Sequence, residues 1–399
     1  MKRLVAVMAC FMLGTAASPQ PDSSTVAHIL AGPYAQFGFD VLKELASKHA
    51  NGNVFISPTS IAVALAMTSN GANGTTRDAI LRTLHSEAQT MDAFNAANRA
   101  LAEQIANTSA VQLSMANALW LQQGLSVNPS FTQTLQDAYR AQAQNLDFRS
   151  QSAAQTINSW VVKHTNDRIQ KIIDQVDPAT VVILTNAVAF KGKWKLQFDP
   201  KETQAHDFKS ASGSTHQLPM MKHTADYAYA KVNGVEAIRL PYADGTFAMY
   251  VVLPQEANGL PSFLKQCTAD TFTSLVSSLH SQKGTIELPR FTITYDATLN
   301  TVLKKLGMGI ALSDAADFDG IRRPPPHLQI SEVRHASFLK VDEEGTEAAA
   351  ATSVGIRATA MRIEPEPFHM VVDHPFFVAI RDERNGQVLF AGTIGDPTS

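Results

Sequence analysis

Asp342-Glu343-Glu344-Gly345-Thr346-Glu347-Ala348-Ala349-Ala350-Ala351-Thr352-Ser353-Val354-Gly355-Ile356-Arg357-Ala358-Thr359-Ala360-Met361 is the stretch on which the reading of this chain turns. A strand-like run, Val333 to Val341, precedes it, and Glu364-Pro365-Glu366-Pro367 closes it. The alanines after Glu347 favour helix by intrinsic propensity. No apolar stripe at i, i+3, i+4 runs through them, so composition alone predicts an exposed loop or a short surface helix. Alternate residues of a strand share a face. Read that way, Thr346, Ala348, Ala350, Thr352, Val354 and Ile356 form one face, and Glu347, Ala349, Ala351, Ser353 and Gly355 the other. The first face is uncharged, and small over its first four positions, so it could slide beneath a sheet. No Pro interrupts residues 346–361, so every backbone N–H there can join a ladder. Gly345 stands where the chain would have to fold over, a change that glycine tolerates.

The bulk properties describe a globular chain. Of its 399 residues, 45% are hydrophobic and 17% charged, which supports a sizeable core and excludes disorder. A net charge of -3 gives no electrostatic case for nucleic acid or an anionic membrane. The 12 histidines form neither HExxH nor a tight His/Cys cluster, so no metal site and no cofactor is expected.

Residues 1–17 read as a secretory signal. Lys2-Arg3 is a positive start, Leu4 to Leu13 an apolar run too short for a membrane span, and Thr15-Ala16-Ala17 a cleavage site. A secreted or periplasmic location follows. Val7-Met8-Ala9-Cys10 is a weaker alternative, a lipoprotein box. Cleavage after Ala17 removes Cys10 and leaves Cys267 alone, without an internal disulfide. Residues 18–26, with Pro19 and Pro21, read as a flexible start.

No repeat or linker divides the remainder, residues 27–399, which is read as one domain. Helical patterns lie at Thr76–His85, Ala93–Ile105, Pro129–Ala141 and Ala153–Ile173. Pro58 suits a helix start, with Ser57 as its cap, and the segment after it is apolar on most faces and therefore buried. Val181 to Phe190 is almost continuously apolar, as a strand covered on both faces requires, with Asn186 as a polar group in need of partners. Further strand signals lie at Glu236–Leu240, Phe247–Leu253 and Ile286–Tyr295. The hairpin signal Asn385-Gly386 joins Asp373–Asp382 to Val388–Gly392.

Taken together these blocks resemble the serpin family, in order and over roughly residues 27–397. Glu343 to Thr352 resembles the hinge of the reactive-centre loop of inhibitory, exported bacterial-type serpins. The resemblance implies an α+β serpin fold: a single large domain of three β-sheets and about eight or nine helices, with a reactive-centre loop at about 343–364. It implies a monomeric protease inhibitor and not an enzyme. The partner is a serine protease, or a cysteine protease, held as a covalent complex after loop cleavage and strand insertion. Ser57, Ser60, Asn186 and His335 match the family's shutter under the central sheet; Trp194, Arg290 and Glu343 match its breach. Gly345, Thr346, Glu347, Ala348, Ala349, Ala350, Ala351 and Thr352 match the rest of the hinge. Counting 16 positions on from Glu343, the family's usual spacing, gives Thr359 as the residue cleaved, with Ala360 on the leaving side. Ala358 and Arg357 are the alternates. Thr or Ala there favours elastase-like or subtilisin-like proteases.

Other chemistries are weaker. Ser262-Phe263-Leu264-Lys265 and Ser337-Phe338-Leu339-Lys340 both fit the SxxK of penicillin-binding proteins and β-lactamases, but the SDN and KTG triplets are absent. A lone His on an apolar strand, as His335 is, is ordinarily a hydrogen-bonded core residue. Ser57 and Ser60 lack a GxSxG and read as helix-start hydroxyls. Arg290 and Glu343, outside the resemblance, are two surface charges. A non-inhibitory serpin acting as carrier or chaperone remains the main alternative; such members often carry bulky, charged or Pro residues where this hinge has Thr and Ala.

Overall fold

The computed structural model describes residues 23–49, 51–108, 111–346 and 366–398. Its centre is a mixed sheet ordered Phe291–Thr298, Glu332–Val341, Val182–Lys193, Val111–Gln122, Gln142–Leu146. Val182–Lys193 lies antiparallel to Val111–Gln122 but parallel to Glu332–Val341. That parallel seam is short. It runs only from Glu332 opposite Ile183 to Phe338 opposite Ala189, although both strands continue further.

Val182 to Phe190 is almost continuously apolar because both faces of this part of the strand Val182–Lys193 are covered. Val182, Leu184, Val188 and Phe190 enter the main core, on the side of the buried helix Pro58–Ser69. Ile183 and Ala187 enter a second core under the helix Ala153–His164, with Trp120, Ile157 and Val161. Ser57 caps the first of these helices, accepting from Ser60 N–H at 3.2 Å, with Pro58 in the first turn.

Apart from the short strand Gly345–Thr346, which pairs with Val182–Lys193, the other strands, from Val54–Ile56 to Val388–Ile394, form one hydrogen-bonded sheet that includes Phe247–Pro254 and Phe376–Asp382. Two of the three expected sheets are continuous here through the long strand Thr215–Val232. Its first part pairs with Gln204–Lys209 and its end with Val235–Pro241.

Three local expectations change. The helical pattern over 153–173 stops at His164, because Asn166 and Asp167 take left-handed backbone angles. Asn158 Oδ1 then accepts from the N–H groups of Ile172 and Ile173, fixing the segment beside the helix. The run Ile286–Tyr295 is two strands, His280–Pro289 and Phe291–Thr298, in different sheets, parted at Arg290. A helix, Ser23–His28, begins inside the stretch expected to be flexible; its Ala27, and Leu30 just beyond it, are fully buried.

Phe190 joins the two sheets. Its ring lies 4.9 Å from that of Tyr242 and 5.9 Å from that of Phe390, with 2% exposure. Phe190→Ala should therefore destabilise the protein by about 3–5 kcal/mol, read as a lowered thermal unfolding midpoint; an unchanged midpoint would contradict this packing.

Candidate functional site

The site has two parts on the central seam. The first is one rung of the sheet, in which Asn117, Asn186 and His335 stand opposite one another on three neighbouring strands. Ser57 N–H donates to His335 Nε2 at 3.3 Å, which requires the ring proton on Nδ1. Nδ1 then donates to Asn186 Oδ1 at 2.6 Å, across the parallel seam. The Asn186 amide donates to Ser60 Oγ and to Asn117 Oδ1. Ser57 Oγ donates to Leu389 O at 2.6 Å, tying the rung to the other sheet. His335 and Ser60 are wholly buried, and Ser57 and Asn186 nearly so. A buried polar group must find partners in the protein, and here each polar atom of Asn186 and His335 has one. Burial pushes the His335 pKa down to about 3, so the ring is neutral at pH 7.

The four residues Ser57, Ser60, Asn186 and His335 are thus neighbours in space. Asn117 completes the rung, a role that sequence reasoning did not assign to it. The available signal is the same as for Asn186, an amide inside an apolar strand, Met115-Ala116-Asn117-Ala118-Leu119.

The second part lies at the end of the seam. Beyond Phe338 the two parallel strands no longer pair, and the chain turns back at Asp342–Gly345. Gly345 and Thr346 then run antiparallel to Lys193 and Gly192. Gly345 has φ +140, and a Cβ there would meet Gly192 O at 2.2 Å, so only glycine fits this approach.

Trp194 organises the turn. Its ring stacks on Tyr242 at 4.5 Å, its Nε1–H donates to Asp342 O at 2.9 Å, and its backbone N–H donates to Glu344 O at 3.0 Å. Phe198 N–H donates to Glu343 O at 2.9 Å. The Glu343 carboxylate pairs with Arg290 through Nη2 and Oε1, and the same oxygen accepts from Thr203 Oγ1 at 2.7 Å. Burial pushes the Glu343 pKa up, but the Arg290 and Thr203 hydrogen bonds outweigh it and hold it below the usual glutamate value. Glu344 Oε2 is buried without a hydrogen-bond partner among the described residues. An unpaired buried acceptor costs about 1–3 kcal/mol, and this one sits on the turn itself. Thr203 had no signal in the sequence.

Arg290, Trp194 and Glu343 therefore meet around one turn, at the open end of the seam whose middle holds His335. The serpin profile, described as serine protease inhibitor, matches residues 33–397. This chain belongs to the serpin family. An uncharacterized serpin-like protein of Thermococcus kodakarensis is 35% identical, over 90% of this chain and 84% of the relative. Native tengpin, a thermophilic serpin, superposes with a TM-score of 0.84 at 29% identity, covering 95% of this chain and 96% of its own. Human thyroxine-binding globulin with thyroxine superposes at 0.86 and 26% identity, covering 94% and 100%. Most members of this family inhibit serine proteases, and some are non-inhibitory. Among the described residues of this serpin, no helix is long and apolar enough to cross a membrane. Residues 1–17, Cys10, and the loop residues Glu347, Ala348, Ala349, Ala350, Ala351, Thr352, Arg357, Ala358, Thr359 and Ala360 lie outside the described residues.

The neutral buried histidine sets a pH dependence. The His335 pKa is lower in the folded chain than the ordinary 6.5, so folding excludes a proton that the unfolded chain binds. Its contribution to stability is complete above pH 6.5 and is lost as pH falls toward the folded value near 3. Below pH 6.5 the loss approaches about 1.36 kcal/mol per pH unit. His335→Gln should remove about one proton's worth of that slope between pH 6 and 5, above the carboxylate range. Denaturant unfolding of both proteins across this window measures it, and parallel slopes would refute it.

Proposed function

We propose that this serpin inhibits a serine protease as a suicide substrate, with Thr359–Ala360 as the bond offered, Ala358 or Arg357 as alternates. The observation that carries the reading is the antiparallel pairing of Gly345–Thr346 with Lys193–Gly192 beside the open seam. In the proposed inserted strand, continuing that register would set Ala348 opposite Phe190, Ala350 opposite Val188, Thr352 opposite Asn186, Val354 opposite Leu184 and Ile356 opposite Val182. The partners on Val182–Lys193 all face the main core. The small, uncharged face of the loop is therefore the one that enters, and Glu347 falls opposite Lys191 on the other side.

The chemistry follows from the family. The protease nucleophile attacks the Thr359 carbonyl and forms an acyl-enzyme, releasing the Ala360 amine. The freed segment then enters between Val182–Lys193 and Glu332–Val341, replacing a parallel seam by two antiparallel ladders. Parallel pairing is the less stable arrangement per residue. About ten new ladder bonds at about 1 kcal/mol each supply on the order of 10 kcal/mol. Insertion must part His335 from Asn186, and in the proposed inserted strand Thr352 would reach that rung with a hydroxyl able to accept from His335 Nδ1–H and donate to Asn186 Oδ1. Ile356 reaches the start of the sheet, so the acyl bond at Thr359 ends at the edge opposite the hinge. Release of stored strain by loop insertion is a general behaviour of serpins, not a result peculiar to this chain.

Export directed by residues 1–17 and a monomeric inhibitor belong to the same reading, as do the shutter role of the His335 rung and the breach role of the Arg290–Glu343 pair. Thyroxine-binding globulin with its thyroxine favours a second reading, a serpin that carries a ligand. The unobstructed hinge, Thr346 and Ala348 to Ala351, supports inhibition over it.

Mixing the protein with an elastase-like protease should give an SDS-resistant complex on a gel, while complete cleavage without complex would support the carrier. Thr346→Arg should leave fold and cleavage intact and abolish the complex; trapping that survives this change would refute insertion. The mass of the released C-terminal fragment should place the cut after Thr359, and cleavage only after Arg357 would overturn that choice.

A further inference from the structure

A basin of about 760 Å³ opens at the C-terminal end of the helix Ala31–Ala46. None of its lining residues belongs to the seam or the hinge. Its apolar wall is built from Leu260 and Leu264 of the helix Leu260–Gln266, and Ala46 and Pro375 also line the basin. Its lining also includes three lysines, Lys43, Lys209 and Lys265, with His49, against one carboxylate, Glu256. Asp40 lies 3.8 Å from Lys43, whereas Lys209 and Lys265 have no ion-pair partner among the described residues.

This gathering of cations is not a property of the chain at large, whose net charge is -3. Lysines also lend their methylene stems to apolar surface while their charges stay at the rim. The volume falls within the range of small-molecule pockets, roughly 300–1,000 Å³. A neutral apolar ligand would leave the lysines unused. An extended polyanion would follow a flat basic face instead of a concave one with an apolar wall. The combination fits a molecule with one charged end and one apolar chain.

We propose that this basin binds a single-chain anionic amphiphile, such as a fatty carboxylate, with its chain along the Leu260–Leu264 wall and its headgroup at the lysine rim. The basin is separate from the inhibitory machinery, so binding and trapping are independently testable.

Titration calorimetry of the full chain with sodium dodecanoate, below its micelle-forming concentration, tests this. Saturable one-to-one binding is expected. The double variant Lys209→Glu/Lys265→Glu should weaken dodecanoate at least about tenfold, since each change replaces an attraction by a repulsion. Dodecanol should bind the two proteins within about twofold of each other, because it carries no charge for the lysines to attract. Ala46→Phe, which fills the apolar wall, should weaken both ligands. Non-saturable uptake, unchanged affinity in the double variant, or dodecyltrimethylammonium binding as tightly as dodecanoate would each overturn the proposal. Unfolding midpoints near that of the parent confirm that the variants are folded.

Discussion

One hydrogen bond, from His335 Nδ1–H to Asn186 Oδ1, crosses the parallel seam of the central sheet at its middle. The seam pairs only seven residues on each side, Glu332–Phe338 with Ile183–Ala189, in the less stable of the two ladder types. The strands on either side of it are joined by longer antiparallel ladders. The sheet is therefore weakest along this line, and the side-chain rung is laid across the weak line. Its members come from Ser57, Ser60, Asn117, Asn186 and His335, which only the folded chain brings together. The rung holds without charge, because burial keeps the ring neutral. A neutral hydrogen bond contributes about 0.5–1.5 kcal/mol net to the contact between the two strands.

The turn at the end of the seam is held differently. Arg290 is about half exposed, so its pairing with Glu343 is screened and is worth about 0–1 kcal/mol. Backbone groups carry more of the load: Trp194 and Phe198 donate to the carbonyls of Asp342, Glu344 and Glu343. Gly345 supplies the backbone angle that lets the chain pass within contact of Gly192. Stacking of Trp194 on Tyr242 fixes the donor that reads this turn. The turn is thus held mainly through its backbone carbonyls, with an ion pair at its rim.

Much of this was legible in the chain. The almost continuously apolar run from Val181 to Phe190 announced a strand covered on both faces, because each face needs its own core. The amide in its middle announced a buried network, because a buried polar group needs partners. Pro58 and Ser57 marked a helix start through cap chemistry that is local in sequence. Less legible were positions where long-range geometry overrides local pattern. The helical periodicity of 153–173 continues past His164, but Asn158 captures the N–H groups of Ile172 and Ile173 and the chain leaves the helix. The run 286–295 has one hydropathy pattern but serves two sheets, because the break at Arg290 is needed to change layers. Asn117 and Thr203 became visible only as partners of Asn186 and Glu343.

By itself the sequence determined the family, the burial of the main strands, and the small, uncharged face of the segment after Gly345. Those properties are local: periodicity, side-chain size, and the presence or absence of Pro and charge. Only the tertiary structure decided the register in which the chain leaves the turn, with Gly345 and Thr346 opposite Lys193 and Gly192. A shift of one residue would reverse the faces, since side chains alternate along a strand. Only the tertiary structure joined Asn117, Asn186 and His335 into a single rung, because strand order and stagger are properties of the whole sheet and no short stretch of chain encodes them.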